Sequence, residues 1–194
     1  QTGSTTEKIT IGAIGDGDEI AAVTLTAADG ITFTGNIELA DHAGADLDIN
    51  GKVFISGDVT ITTDNTSDDG TINFSSTIDG LTESGTAIDD NLIILAGDTS
   101  NNPSGNAQGG SLTITGNIGD EVALTSLKIN ATDGDMAFTI PQVGGGGSQG
   151  VTGAVTLGNA GSGDITFAGS GANAFDIGGK LTVTSDGGAN AYQF

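Results

Sequence analysis

Carboxylates are the one chemically active group that this sequence supplies in quantity. Asp and Glu number 25 against four Lys and Arg, and the formal net charge is −21. Many of these acids fall in pairs inside glycine-rich, turn-like stretches, and oxygen-rich loops suit Ca²⁺. The candidate ligands for a structural Ca²⁺ are Asp16, Asp18, Glu19, Asp133 and Asp135. These stretches lack the full calcium-binding loop that ends in Glu, so acids that are simply solvated are the alternative interpretation.

Residues for catalysis are scarce. His42 is the single histidine, and the chain has no cysteine, so a zinc site of the usual nitrogen and sulfur ligands is not expected. No G-x-S-x-G turn for a serine nucleophile occurs. The four basic residues are all lysines at scattered positions, which argues against an acid-and-base pair acting on a polysaccharide. We therefore expect a protein that is not an enzyme and that requires no cofactor.

The charge balance also limits the partners. A chain with a net charge of −21 would repel a phosphate backbone, so nucleic-acid binding is not expected. The same repulsion disfavours anionic membrane surfaces. No apolar run approaches the roughly 18 residues of a membrane-spanning helix, so we expect no transmembrane segment.

The stretch from Val23 to Ile37 shows which elements carry these residues. Val23 and Leu25 alternate with threonines, and a second alternating run follows an Asp-Gly pair that ends at Gly30. Alternation with a period of two indicates half-buried strands. Glycine accepts positive φ, so Asp-Gly and the later pair Asn50-Gly51 both indicate tight turns.

Similar units recur along the chain, with few aromatic residues for a compact core. Their starts are separated by 36, 33, 35, 28 and 26 residues, and they lie at Val23, Val59, Leu92, Leu127, Val155 and Leu181. Recurrence at this period is typical of solenoids. The sequence therefore predicts one all-β repeat domain over residues 1–194, a parallel β-helix of about six coils. The alternative is an antiparallel jelly-roll or β-sandwich completed by a donor strand, since alternation does not decide strand direction.

Two units, Val23–Ile37 and Val59–Gly80, resemble the β-strand repeats of large secreted bacterial surface proteins, the filamentous-haemagglutinin-like adhesins. The resemblance lies in pattern and composition and extends over most of residues 14–187. It implies a right-handed parallel β-helix, export from the cell, and a role as a stalk, adhesin or fibre. Gln1 in place of Met is consistent with a trimmed, exported form or with a fragment.

A short β-helix would leave unpaired backbone and apolar core at both of its ends. No polar capping helix is evident in the sequence, and uncapped ends favour head-to-tail stacking of copies. We expect residues 1–12 to act as an assembly arm. The candidate assembly residues are Ile9, Ile11, Tyr192 and Phe194.

The sequence thus favours a structural protein, located outside the cell or on its surface, that assembles end to end with itself. The alternative function is a calcium-stabilised, carbohydrate-binding surface module. That alternative would use the long polar insertion at residues 97–111, because insertions of this kind often carry binding in solenoids.

Overall fold

The computed structural model describes residues 7–15, 20–40, 45–63, 70–81, 89–96, 111–131, 138–145, 150–159, 165–170, 174–185 and 192–193. Over these ranges the chain forms short β-strands joined by turns and contains no helix. The predicted all-β class is confirmed. The short strands match the sequence, because each run of alternating apolar residues ends at a turn after about four residues.

The strands form three sheets, which we call A, B and C. Sheet A contains, in order, β1 (Lys8–Ile11), β3 (Gly30–Phe33), β6 (Val53–Ile55) and β9 (Ile78–Gly80). Sheet B contains, in order, β4 (Ile37–Glu38), β7 (Asp58–Thr62), β10 (Asn91–Leu95), β12 (Ser126–Ala131), β14 (Val155–Asn159) and β16 (Leu181–Ser185). Sheet C contains, in order, β2 (Val23–Thr26), β5 (Leu47–Asn50), β8 (Thr71–Phe74), β11 (Ser111–Ile114), β13 (Phe138–Ile140), β15 (Ile165–Phe167) and β17 (Tyr192–Gln193).

Strand pairing within all three sheets is parallel. Successive strands along the chain enter different sheets, so two neighbours in one sheet are separated by a full pass of the chain and run in the same direction. This is a solenoid-like arrangement. The antiparallel alternative, a jelly-roll or β-sandwich, is therefore wrong for these strands: the alternating segments are not folded back on each other as hairpins.

The register confirms most of the predicted repeat. Val59, Leu92, Leu127, Val155 and Leu181 lie opposite one another in adjacent strands of sheet B. Val23, the first predicted start, lies in sheet C opposite Leu47. All three sheets show the same alternating pattern, so the pattern does not indicate which sheet a strand joins. The predicted equivalence of Val23 and Val59 is therefore wrong.

The predicted turn glycines lie at corners between sheets. Gly30 has a φ of 115°, and a Cβ there would lie 2.5 Å from a ring carbon of Phe54. Gly51 has a φ of 146°, and a Cβ there would lie 2.3 Å from the Ala27 carbonyl oxygen. Both positions thus require glycine for backbone conformation and for close approach of the neighbouring pass.

The core lies between the sheets and follows the alternation. In sheet C, for example, Ile49 lies opposite Phe74, which lies opposite Ile114, and all three are buried. The buried apolar residues of the described chain are Ala, Val, Leu, Ile and Phe. Stacked rows of these side chains fill the core between the sheets, and the sequence contains no Trp.

Candidate functional site

Asp90 joins three successive passes of the chain. Its side chain is 3% exposed, and it accepts the N–H of Gly57 at 3.0 Å and the N–H of Leu81 at 2.9 Å. The Asp90 N–H donates to the Thr125 hydroxyl at 3.1 Å. Asp90 is therefore a structural brace, because its buried carboxylate accepts partly buried N–H groups from neighbouring passes.

A second polar cluster fixes the turn at residues 119–122. Asp79 is fully buried, and its Oδ1 accepts the Glu121 N–H at 2.8 Å. Glu121 in turn forms an ion pair with Lys52. The hydrogen bond to Glu121 raises the pKa of Lys52 above its usual value of 10.5, and the nearby charges of Asp79 and Asp120 add to this. The cluster secures a corner, and its lysine is already paired.

Polar ladders run across the outer face of sheet B. The Asn91 amide donates to Asp58 Oδ1 at 2.6 Å, and the Ser126 hydroxyl donates to Asn91 Oδ1 at 2.5 Å. Each contact joins strands 33 or 35 residues apart in sequence. Such ladders support the stacking of neighbouring strands.

A groove of about 460 Å³ lies on sheet C. Hydroxyl groups of Ser111, Thr113, Thr139 and Thr166 line it, together with apolar side chains of β11 and β13. The groove lies beside the junction of β11 and β13. Within the described chain these two strands pair at one position, where Leu112 lies opposite Phe138. The groove offers neutral polar groups, with no charged side chain among its described lining residues.

One end of the stack, the N-terminal edge, consists of β1, β2 and the bridge residue Ile14. The core-facing residues of this edge are half-buried, whereas their partners one pass further in are buried. They are Ile9, Ile11, Ile14, Val23 and Leu25. Within the described residues, the edge therefore combines strands that pair on one side only with incompletely covered apolar side chains, which is what strand addition requires.

The opposite end, the C-terminal edge, consists of β16, β17 and the bridge residue Phe175. Phe175 packs edge-on against Phe167, with ring centroids 5.3 Å apart. Val183 is half-buried, and Leu181 is 38% exposed, the one exposed large hydrophobic side chain in the described part of the protein. This edge has the same combination of open backbone and apolar surface.

The predicted assembly residues are distributed over these two edges. Ile9 and Ile11 lie in β1, opposite Ile31 and Phe33. Tyr192 lies in β17, opposite Ile165, and Phe194 lies outside the described residues. Of the predicted assembly arm, residues 1–12, the part from Lys8 to Ile11 is the edge strand of sheet A.

The predicted calcium ligands lie outside the described residues, as does His42. These ligands are Asp16, Asp18, Glu19, Asp133 and Asp135. Within the described ranges, no group of three or more His, Asp or Glu is arranged to hold a metal ion. Structural Ca²⁺ therefore stays a prediction. Most of the insertion predicted to bind carbohydrate, residues 97–110, is likewise outside the described chain.

The sequence did not single out Asp79, Asp90 or Leu181 as members of these clusters and edges. Asp79 and Asp90 resemble the other acids next to turns, and their partners lie between nine and 43 residues away. Leu181 repeats the apolar position of Val155, and its exposure follows from its place in the last strand of sheet B. A signal existed for Leu181 alone, because it begins the final repeat unit.

Comparisons with protein-family models, with curated proteins and with solved structures found no match. Over the part of the chain that the structure covers, no helix has the length and apolar character needed to cross a membrane.

Proposed function

We propose that this protein is a structural, non-catalytic module of an extracellular filament or adhesin stalk, built by end-to-end stacking of copies. The observation that carries the proposal is the pair of open edges, each with unpaired strands and half-buried apolar residues. Strand direction supports it as well. A parallel stack presents strands of the same direction at both ends, so one copy's C-terminal edge can extend the sheets of the next copy's N-terminal edge.

We further propose that the stack is a right-handed β-helix of about six coils. Crossover connections between parallel strands of one sheet are right-handed in about 98% of cases. Sheet B has six strands and sheet C has seven, which is close to this number of coils. A secreted or cell-surface location fits the resemblance to exported repeat proteins and a chain without cysteine, which does not depend on disulfides for stability.

Electron microscopy of the purified protein across a concentration series, in physiological salt, tests this function. We expect regular filaments whose length increases with concentration. Dispersed particles at every concentration, with no end-to-end contacts, would overturn the proposal.

The groove on sheet C favours a second candidate, carbohydrate binding. Its volume of about 460 Å³ is within the range of roughly 300–1,000 Å³ for small-molecule sites. Its hydroxyls suit a neutral sugar better than an anion, given the net charge of −21. Calorimetric titration with neutral oligosaccharides, with Ca²⁺ or with chelator, would detect binding. Loss of binding in Thr139→Val would assign it to this groove, and an absence of heat with every sugar would remove this candidate.

A further inference from the structure

One row of residues in sheet B runs from one end of the stack to the other. Ile14 bridges to Ile37, which lies opposite Ile61. The register continues from Ile61 through Ile94, Ile129 and Leu157 to Val183. One core-facing row therefore begins at Ile14 and ends at Val183.

The residues beside the two ends of this row leave room for a contact. Leu181, two residues before Val183 in the last strand of sheet B, is 38% exposed. Gly12, two residues before Ile14, is exposed, and a Cβ built there would meet no atom within 4 Å.

The two end members of the row from Ile14 to Val183 are less covered than its interior members. Ile14 and Val183 are both half-buried, whereas Ile37, Ile61 and Leu157 are buried. Placing Ile14 of a second copy over Val183 would give both residues the covering that the interior members already have.

We propose that a second copy of this chain docks its N-terminal edge on the C-terminal edge in the register of the internal repeat, with Ile14 over Val183 and with Leu181 covered by the residues that precede Ile14. This inference rests on the proposed end-to-end assembly and specifies its joint. The joint continues sheet B without a break, and the backbone groups of β16 gain the partners that each interior strand already has. Ala13 of the second copy then lies beside Thr182.

Engineered disulfides test the register directly, because the chain contains no cysteine. Adjacent strands lie about 4.7–4.9 Å apart, within the roughly 4.4–6.8 Å between Cα atoms that a disulfide spans. The double variant Ala13→Cys/Thr182→Cys places one thiol at each end, on exposed or half-exposed positions outside the core. Oxidation should convert it into a ladder of covalent multimers on a non-reducing gel.

The matched control is Thr24→Cys/Thr182→Cys. Thr24 is also an exposed position on the N-terminal edge, but it lies in sheet C. We expect no ladder from this pair. Both reduced variants are first inspected by microscopy, and cross-linking is compared under conditions where they assemble as the unmodified protein does.

The possible outcomes separate the two proposals. A ladder from the first pair alone supports the register. Assembly with no ladder from the first pair, or with equal ladders from both pairs, overturns the register and leaves end-to-end assembly standing. A protein that stays monomeric in every condition overturns both.

A second set of variants tests the leucine contact. Leu181→Ser should weaken association at least about tenfold, whereas Leu181→Met should leave it near that of the unmodified protein. Sedimentation velocity measures both values. Equal association by the two variants would overturn the burial of Leu181 at the joint.

Discussion

At the scale of single residues, polar side chains in this protein hold neighbouring passes together. Asp90 accepts N–H groups from residues 33 positions before it and nine positions before it in the chain. Asp79 accepts from Glu121, 42 positions later. The large separations explain why the sequence revealed acids near turns but did not distinguish the buried, bonded acids from the solvated ones.

Replacing Asp90 by Ala should destabilise the protein by about 1–3 kcal/mol, because the Gly57 N–H would lose its charged acceptor and the Leu81 N–H would keep only the Ile55 carbonyl. Asp90→Asn keeps one carbonyl acceptor and should therefore lower the free energy of unfolding by less than Asp90→Ala. Equilibrium unfolding in urea measures the free energies, and Asp89→Ala, at an exposed neighbouring position, is the control. Equal effects of Asp89→Ala and Asp90→Ala would contradict the role of Asp90 as a brace.

The ion pair of Lys52 with Glu121 predicts a pH dependence. Because the folded-state pKa of Lys52 is raised above 10.5, the contribution of this pair is fully present below that value. It is lost as the pH rises through the folded-state pKa. The contribution should be small, since both side chains are about half exposed.

The measurement is the urea midpoint of the unmodified protein against Lys52→Gln. We expect the urea midpoint of Lys52→Gln to be lower than that of the unmodified protein at about pH 8 and equal to it at about pH 12. Lys128→Gln is the control, as Lys128 forms no ion pair within the described residues. A difference for Lys52→Gln that persists unchanged at high pH would show that packing of the side chain, rather than its charge, is responsible.

The corner glycines separate two effects of backbone geometry. Gly51 and Gly57 both have positive φ, but a Cβ at Gly57 would meet nothing within 4 Å. Gly57→Ala should therefore cost about 1–2 kcal/mol from the backbone conformation alone. Gly51→Ala should lower the free energy of unfolding by more, because its Cβ would also clash with the Ala27 carbonyl oxygen. Thermal unfolding ranks the two, and the reverse order would contradict the close approach at this corner.

At the scale of elements, the sequence predicted the strands well and their relations in part. Alternation marked strands such as β7 and β14, and five of the six predicted repeat starts share one register row in sheet B. The alternating pattern did not determine whether neighbouring strands pair in parallel or antiparallel, since inward and outward side chains alternate in both kinds of sheet. The assignment of Val23 failed for a related reason, because sheets B and C use the same alternation of Val or Leu with Thr.

Leu92 and Leu181 occupy the same row of sheet B, one buried and the other 38% exposed. Leu92→Ala should destabilise the monomer by about 2–5 kcal/mol through loss of core packing. Leu181→Ala should cost the monomer much less. Urea unfolding below the assembly concentration tests this, and equal losses would mean that something other than solvent covers Leu181 in the monomer.

At the scale of the whole molecule, charge opposes the association that the edges favour. Each copy carries a formal charge of −21, so stacked copies repel. Added salt shortens the screening length from about 30 Å at 0.01 M to about 3 Å at 1 M. The same repulsion would keep the open strand edges from pairing indiscriminately.

Assembly should therefore begin at a lower protein concentration in 1 M sodium chloride than in 0.01 M. Light scattering against protein concentration measures the onset, and osmotically matched sucrose controls for solute effects. An onset that moves to higher concentration with salt would mean that ion pairs across the joint outweigh the general repulsion.

The parallel ladders run from the N-terminal edge to the C-terminal edge, and their hydrogen bonds point approximately along the same line. Tension applied between the chain's two ends would load these bonds one strand pair at a time. Strands would peel away singly instead of resisting together in shear. A stalk of this construction would extend in many small mechanical steps, each releasing one pass of about 30 residues, and would absorb a sudden pull without failing at a single point.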